Sequence, residues 1–153
     1  MSAQKIRDNL WLGSMRSVPE DTDYVMSLAS EIYENDIDFH KYPVYFEDNE
    51  HFWFRAFDFP EKNDINLSVV KLVLKRIDEH LKKNDKVYVH CIYGVNRSAS
   101  HVFMYLIATN QVLKNRDNLQ KAILEFQALY PRFSPNPGWL DFLRTWFPFN
   151  NWV

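Results

Sequence analysis

The stretch His90-Cys91-Ile92-Tyr93-Gly94-Val95-Asn96-Arg97-Ser98 holds the residues whose types and spacing can do chemistry. The chain has one cysteine. It follows the apolar run Val87-Tyr88-Val89 and His90, and stands six residues before an arginine. A strand ending at Cys91, a short loop with a glycine and a helix opening at Arg97 would aim backbone N–H groups and a positive helix end at one point. Donors arranged in this way favour a tetrahedral oxyanion. They also favour a thiolate, because a helix N-terminus and a nearby arginine lower a cysteine pKa from about 8.5 to between about 3.5 and 7.5. The chemistry predicted is phosphoryl transfer, in which Cys91 sulfur attacks phosphorus and the guanidinium fork of Arg97 holds two equatorial oxygens. A lone cysteine at a strand end is more commonly a small core hydrophobe. The histidine, glycine, arginine and serine around this one favour the catalytic reading.

Elements that could position such a loop are legible on both sides of it. From Asn66 to Lys83, apolar residues recur at Leu67, Val70, Leu74, Ile77 and Leu81, the spacing of a helix with one buried stripe, and Asn84-Asp85 breaks it. Residues 86–90 are β-branched and aromatic with little alternation, as in a buried central strand. A helix follows from Arg97 to about Thr109. Another is predicted from Arg116 to Leu129, ended by Pro131, and a last one from Pro137 to Trp146. Helix, strand, loop, helix around a cysteine predicts an α/β fold with a mostly parallel central sheet and helices on both faces. The chain has 3 glycines. Gly94 within the loop therefore suggests a backbone that turns tightly and approaches phosphate.

The pattern His90-Cys91, five residues, Arg97-Ser98 resembles the signature of the cysteine-dependent protein tyrosine phosphatase superfamily. Other stretches are similar to its small dual-specificity branch: residues 6–14, Asn66-Leu67-Ser68, Arg97-Ser98-Ala99-Ser100 and Pro135-Asn136-Pro137-Gly138-Trp139. The segment 24–52, rich in acidic and aromatic residues, matches none of it and its strand pairing is unassigned. The resemblance implies that His90 hydrogen-bonds around the cysteine and keeps it ionised. It also implies that Ser98 helps the thiolate leave in the second step, where the alternative is a helix cap. Ile92, Tyr93, Gly94, Val95, Asn96 and Arg97 would form the substrate-binding loop, with Asn96 ordering it. That loop has no lysine, unlike phosphoinositide-directed members, so a lipid substrate is less favoured.

Expelling an alkoxide or phenoxide near neutral pH needs a general acid. In the superfamily this is an aspartate on a mobile loop upstream of the cysteine. Residues 58–64, Asp-Phe-Pro-Glu-Lys-Asn-Asp, follow the strand-like run 52–57 and offer Asp58, Glu61 and Asp64. Asp58 is best placed, at the strand end. Glu61 fits a shorter loop, and Asp64 looks like a cap for the next helix. Glu47 or Asp48 from the unassigned segment is the fallback.

At 153 residues, 46% hydrophobic, the chain can bury a real core and is expected to form a single catalytic domain spanning 1–153. A net charge of -2 gives no global drive toward nucleic acid or anionic membrane. One cysteine cannot form an internal disulfide, which suits a reducing compartment. The first five residues lack a signal-peptide core, and the apolar run 102–108 is too short to span a membrane. The expectation is a cytoplasmic or nuclear protein with no cofactor, no metal and no membrane partner. Its substrate would be a phosphorylated protein carrying phosphotyrosine and also phosphoserine or phosphothreonine. The runner-up is a polynucleotide 5′-triphosphatase acting on an RNA end, since Gly94-Val95-Asn96-Arg97 resembles the loop of RNA-directed relatives, although those continue with Thr-Gly where this chain has Ser98-Ala99. A phosphate-binding pseudophosphatase scaffold is the third reading. The aromatic tail, Trp146-Phe147-Pro148-Phe149 with Trp152, would either pack in the core or dock on a partner.

Overall fold

A computed structural model describes residues 3–61 and 63–153. Six strands, β1 Gln4–Arg7, β2 Leu10–Gly13, β3 Tyr24–Leu28, β4 Tyr45–Glu47, β5 His51–Phe54 and β6 Val87–His90, form one sheet in the order β1-β2-β6-β3-β5-β4. The central pairings β2·β6, β6·β3 and β3·β5 are parallel; the edge pairings β1·β2 and β4·β5 are antiparallel. The residues 6–14 that open the resemblance thus lie on a hairpin, turned at Asn9 with φ 66°, a left-handed conformation that asparagine tolerates.

Five helices complete the fold: α1 Ser30–Asp36, α2 Leu67–Lys82, α3 Arg97–Ala108, α4 Leu119–Leu129 and α5 Pro137–Trp146. Period-2 alternation puts Leu10, Leu12, Tyr24, Met26, Leu28, Phe52, Phe54, Val87 and Val89 on one sheet face, all buried. Helices α2 to α5 pack over that face. His80 of α2 stacks on Tyr24 at 3.6 Å, and His101 of α3 meets Phe54 edge-on at 5.8 Å and Trp139 of α5 at 5.3 Å. Helix α3 is buried along nearly its whole length and forms the centre of this layer. The β3-to-β5 connection through α1 runs along the sheet opposite to the β5-to-β6 connection through α2. Right-handed crossovers in opposite directions fall on opposite faces, so α1 lies over the other face with the loop 14–23. Helices therefore flank both faces as expected, but unequally.

Most predicted elements stand within a residue or two of their expected limits. Helix α4 starts at Leu119 rather than Arg116, because the Asn118 side chain caps it by accepting from Lys121 N. At α2 the cap is Asn66, whose Oδ1 accepts from Val69 N at 3.1 Å. Asp64 is not the cap: its carboxylate accepts from Glu61 N at 3.1 Å within its own turn. Strand β5 ends at Phe54, so the run 52–57 is strand only in its first part. The aromatic tail folds back on its own core. Phe149 and Trp152 are buried, Phe149 packs against Phe103 and Trp152 against Phe142, and Trp146 stays exposed.

Candidate active site

The sheet delivers the cysteine. Strand β6 is central and fully buried, so His90 and Cys91 emerge at a fixed point at its C-terminal end. The chain then turns through 92–96 into α3 at Arg97. Gly94 holds φ 74°, in the left-handed region. A Cβ there would stand 2.6 Å from Gly13 carbonyl carbon and 2.8 Å from Tyr130 Oη, which donates to Gly94 O at 2.7 Å. The tight turn is as expected; what crowds Gly94 is the end of β2 and a tyrosine.

Cys91 is almost wholly buried, and its Sγ lies 3.1 Å from Ser98 Oγ. Ser98 is thus turned toward the sulfur, and the Asn96 side chain, at the N-cap position, makes no capping bond. Arg97 is 2% exposed. Its Nη1 donates to Glu31 Oε1 at 2.5 Å and to Ala56 O at 2.9 Å, and its Nη2 donates to Glu31 Oε2 at 3.0 Å. Glu31 thus occupies the end-on edge of the guanidinium. Its other edge, Nε–H with the second Nη2 proton, stays open, and Nε is buried without a hydrogen-bond partner. Burial disfavours the charge of Arg97, but the Glu31 hydrogen bonds and the charges of Cys91, Glu31 and Asp58 outweigh that and raise its pKa. Reciprocally, the hydrogen bonds from Arg97 hold the Glu31 carboxyl down to about 2.

Asp58 lies across the mouth. Its Oδ1 is 3.4 Å from Arg97 Nε and accepts from Asn96 Nδ2 at 2.9 Å. Asp58 O accepts from Asn96 Nδ2 and from Asn136 Nδ2 at 2.8 Å, while Asn96 Oδ1 accepts from Asn136 N. Trp139 Nε1 donates to Phe57 O, and a Cβ on Gly138 would stand 2.2 Å from Pro60 O. The start of α5 therefore clamps the acidic loop onto the cysteine loop. A cavity of about 300 Å³ opens between Cys91, Arg97, Asp58, Phe59 and Tyr93.

The other acids lie elsewhere. Glu61 is exposed, Asp64 bonds Glu61 N, Glu47 pairs with Arg76 at 2.7 Å, and Asp48 Oδ1 accepts from Glu50 N and His51 N. Lys62, within the same loop, lies outside the described residues. Of the loop side chains, Tyr93, Val95 and Asn96 line the cavity, while that of Ile92 faces a neighbouring one. No cluster of three or more His, Cys, Asp or Glu side chains is grouped to hold a metal ion among the described residues.

His90 faces the opposite way, into a buried chain of hydrogen bonds. Its Nδ1 donates to Cys91 O at 2.9 Å, so its Nε2 accepts from Ser27 Oγ at 2.7 Å, and Ser27 Oγ in turn accepts from His51 Nε2 at 2.7 Å. Burial lowers the pKa of His90, and lowers that of His51 to about 4, so both rings are neutral near pH 7. Glu31, Ser27 and His51 all come from the unassigned segment 24–52 and went unread as site residues. Glu31 stands three residues past the end of β3, and no residue pattern in the sequence marks it.

The comparisons with known proteins agree with this geometry. The family model "Dual specificity phosphatase, catalytic domain" matches residues 14–148. The chain belongs to that family, the small dual-specificity branch of the cysteine-dependent protein tyrosine phosphatase superfamily. Tyrosine-protein phosphatase yvh1 of Schizosaccharomyces pombe is 31% identical over 103 residues, which cover 67% of this chain and 29% of that protein. The match thus spans less than a third of that relative's length. Among solved structures, human tyrosine phosphatase-like serine/threonine/tyrosine-interacting protein has a TM-score of 0.71 at 20% identity, covering 94% of each chain. Human DUSP28 has a TM-score of 0.68 at 17% identity, covering 94% of this chain and 90% of that one. At such identities these two speak for the fold alone. Nothing among the relatives favours the 5′-triphosphatase alternative. No helix among the described residues is long and apolar enough to cross a membrane.

Proposed function

We propose that residues 1–153 act as a single catalytic domain, cytoplasmic or nuclear, that hydrolyses phosphotyrosine and also phosphoserine or phosphothreonine in protein substrates through a phosphocysteine intermediate. One arrangement carries the reading. A buried thiol and an arginine with one open donor edge line a single cavity, with a serine hydroxyl behind the thiol at 3.1 Å and a carboxylate 3.4 Å from that arginine's Nε.

In the first step the Cys91 thiolate attacks phosphorus and the ester P–O bond breaks. The departing oxygen takes a proton from Asp58, leaving phosphate on sulfur and a carboxylate on Asp58. The open Nε–Nη2 edge of Arg97 holds two equatorial oxygens side-on, while backbone N–H groups of 92–97 receive their charge. In the second step Asp58 takes a proton from water, the water oxygen bonds phosphorus and the S–P bond breaks, with the Ser98 hydroxyl donating to the returning thiolate. His90, locked as its Nδ1–H tautomer, holds the Cys91 carbonyl out of the cavity.

The test is an activity panel on the purified chain: phosphotyrosine peptide, phosphothreonine peptide, triphosphorylated RNA and a phosphoinositide, each with Cys91→Ser as control. Turnover of the phosphopeptides that is lost in Cys91→Ser supports the reading. RNA triphosphate turnover alone would overturn it.

A further inference from the structure

We infer that a second subsite beside the catalytic cavity binds an acidic residue flanking the phosphorylated one in the substrate; this rests on the phosphopeptide reading above. A cavity of about 410 Å³ lies between Ser14, Met15, Arg16, Ile92 and Tyr93. Tyr93 also lines the catalytic cavity and is 66% exposed, so one ring is the partition between the two. A peptide whose phosphate reaches Cys91 and whose chain continues toward Met15 crosses that rim. Successive residues of an extended chain advance about 3.3 Å, so a residue or two carries its side chains over Tyr93.

The floor of the subsite is fixed to the phosphate loop. Met15 N donates to Ile92 O at 3.1 Å, Tyr88 Oη donates to Ser14 O at 2.5 Å, and Arg16 N donates to Ser14 Oγ at 3.3 Å. Arg16 is exposed, and its guanidinium has no hydrogen-bond or ion-pair partner among the described residues. Met15, 44% exposed, and Ile92 supply apolar surface for the methylenes of a glutamate. The catalytic cavity itself carries the carboxylate of Asp58. An acidic flank is thus repelled beside Asp58 and attracted beside Arg16. A free guanidinium fork with apolar surface beside it is matched by a carboxylate on a short aliphatic stem.

The test uses three probes: a small aryl phosphate too short to pass Tyr93, a phosphotyrosine peptide with neutral flanks, and peptides with one glutamate moved through the flanking positions on each side. At least one glutamate position should raise kcat/KM by about fivefold over the neutral peptide, the scale of an exposed ion pair. Arg16→Ala should erase that gain, Arg16→Lys should restore part of it, and aryl phosphate turnover should change less than about twofold in both. If wild type turns over the aryl phosphate but no glutamate position helps, or Arg16→Ala slows every probe equally, the subsite is wrong and the phosphatase reading stands. If wild type turns over none of the probes, the reading beneath it fails and the subsite falls with it.

Discussion

Glu31 grips Arg97 by both terminal nitrogens, at 2.5 and 3.0 Å, across 66 residues of sequence. This pair decides which edge of the guanidinium faces the cavity. With the end-on edge taken, only the Nε side is open to a phosphoryl group. Glu31→Gln keeps the size but loses the charge, so kcat should fall about tenfold or more, and thermal stability should fall as well, because the buried guanidinium of Arg97 loses its ionic partner. Glu34→Gln, on the same helix and paired with Arg55, serves as a control and should leave kcat unchanged. An equal effect of both would mean that α1 matters only as structure.

Arg97→Lys retains the charge and loses the fork. Lysine cannot meet two oxygens side-on, so kcat should fall by about a hundredfold or more, the scale of a lost transition-state donor. A loss of only a few-fold would mean that Arg97 does not grip the transferring group.

For the proton donor, Asp58→Asn should slow hydrolysis strongly for alkyl phosphates and much less for esters with very acidic leaving groups, which depart without a proton. It should also abolish the descending limb of the pH–rate profile. Glu61→Gln and Asp64→Asn are matched controls with no expected effect on leaving-group dependence. If Asp58→Asn kept the wild-type profile and Glu61→Gln lost the limb, the donor would be Glu61.

The buried histidines predict how stability depends on pH. Burial lowers the pKa of His101 to about 4, against about 6.5 when unfolded, so the unfolded chain binds more protons between those values. Stability is therefore fully present above about 6.5 and is lost as the pH falls from there through about 4. For His101 the loss is on the order of 3 kcal/mol. His51 shifts the same way and adds less, being nearer solvent. Urea midpoints at pH 7 and pH 4.5 check this, and His101→Phe should flatten the dependence. An unchanged slope in that variant would remove His101 as its source.

The parts of the site legible in the sequence are those that are close along the chain. Cys91, Gly94, Arg97 and Ser98 fall within one loop and helix start, so their spacing alone implies the cradle. Helices α2 and α4 declare themselves by apolar period, and α5 by the proline in its first turn. Residues 24–52 did not, for physical reasons. Strands β4 and β5 have 3 and 4 residues, too few for a period to show. Helix α1 has 7 and no side-chain cap. The site residues of this segment reach the site through long-range contacts, Glu31 of α1 on Arg97 and Ser27 of β3 on His90 across 63 residues. Asp58 was legible as a strand-end acid, but what clamps it, Asn136 and Trp139, became visible only once α5 was docked.

The central claim is that phosphate passes through Cys91. In Ser98→Ala the sulfur loses the hydroxyl 3.1 Å away that eases its departure, so the second step should slow more than the first. Quenching that variant during turnover of a phosphotyrosine peptide and mapping it by mass spectrometry tests the claim most directly. The account predicts one phosphoryl group on the peptide that contains Cys91, in larger amount than in wild type and absent from Cys91→Ser. Turnover with no phosphoryl group on Cys91, or Cys91→Ser retaining more than about one per cent of wild-type activity, would contradict it.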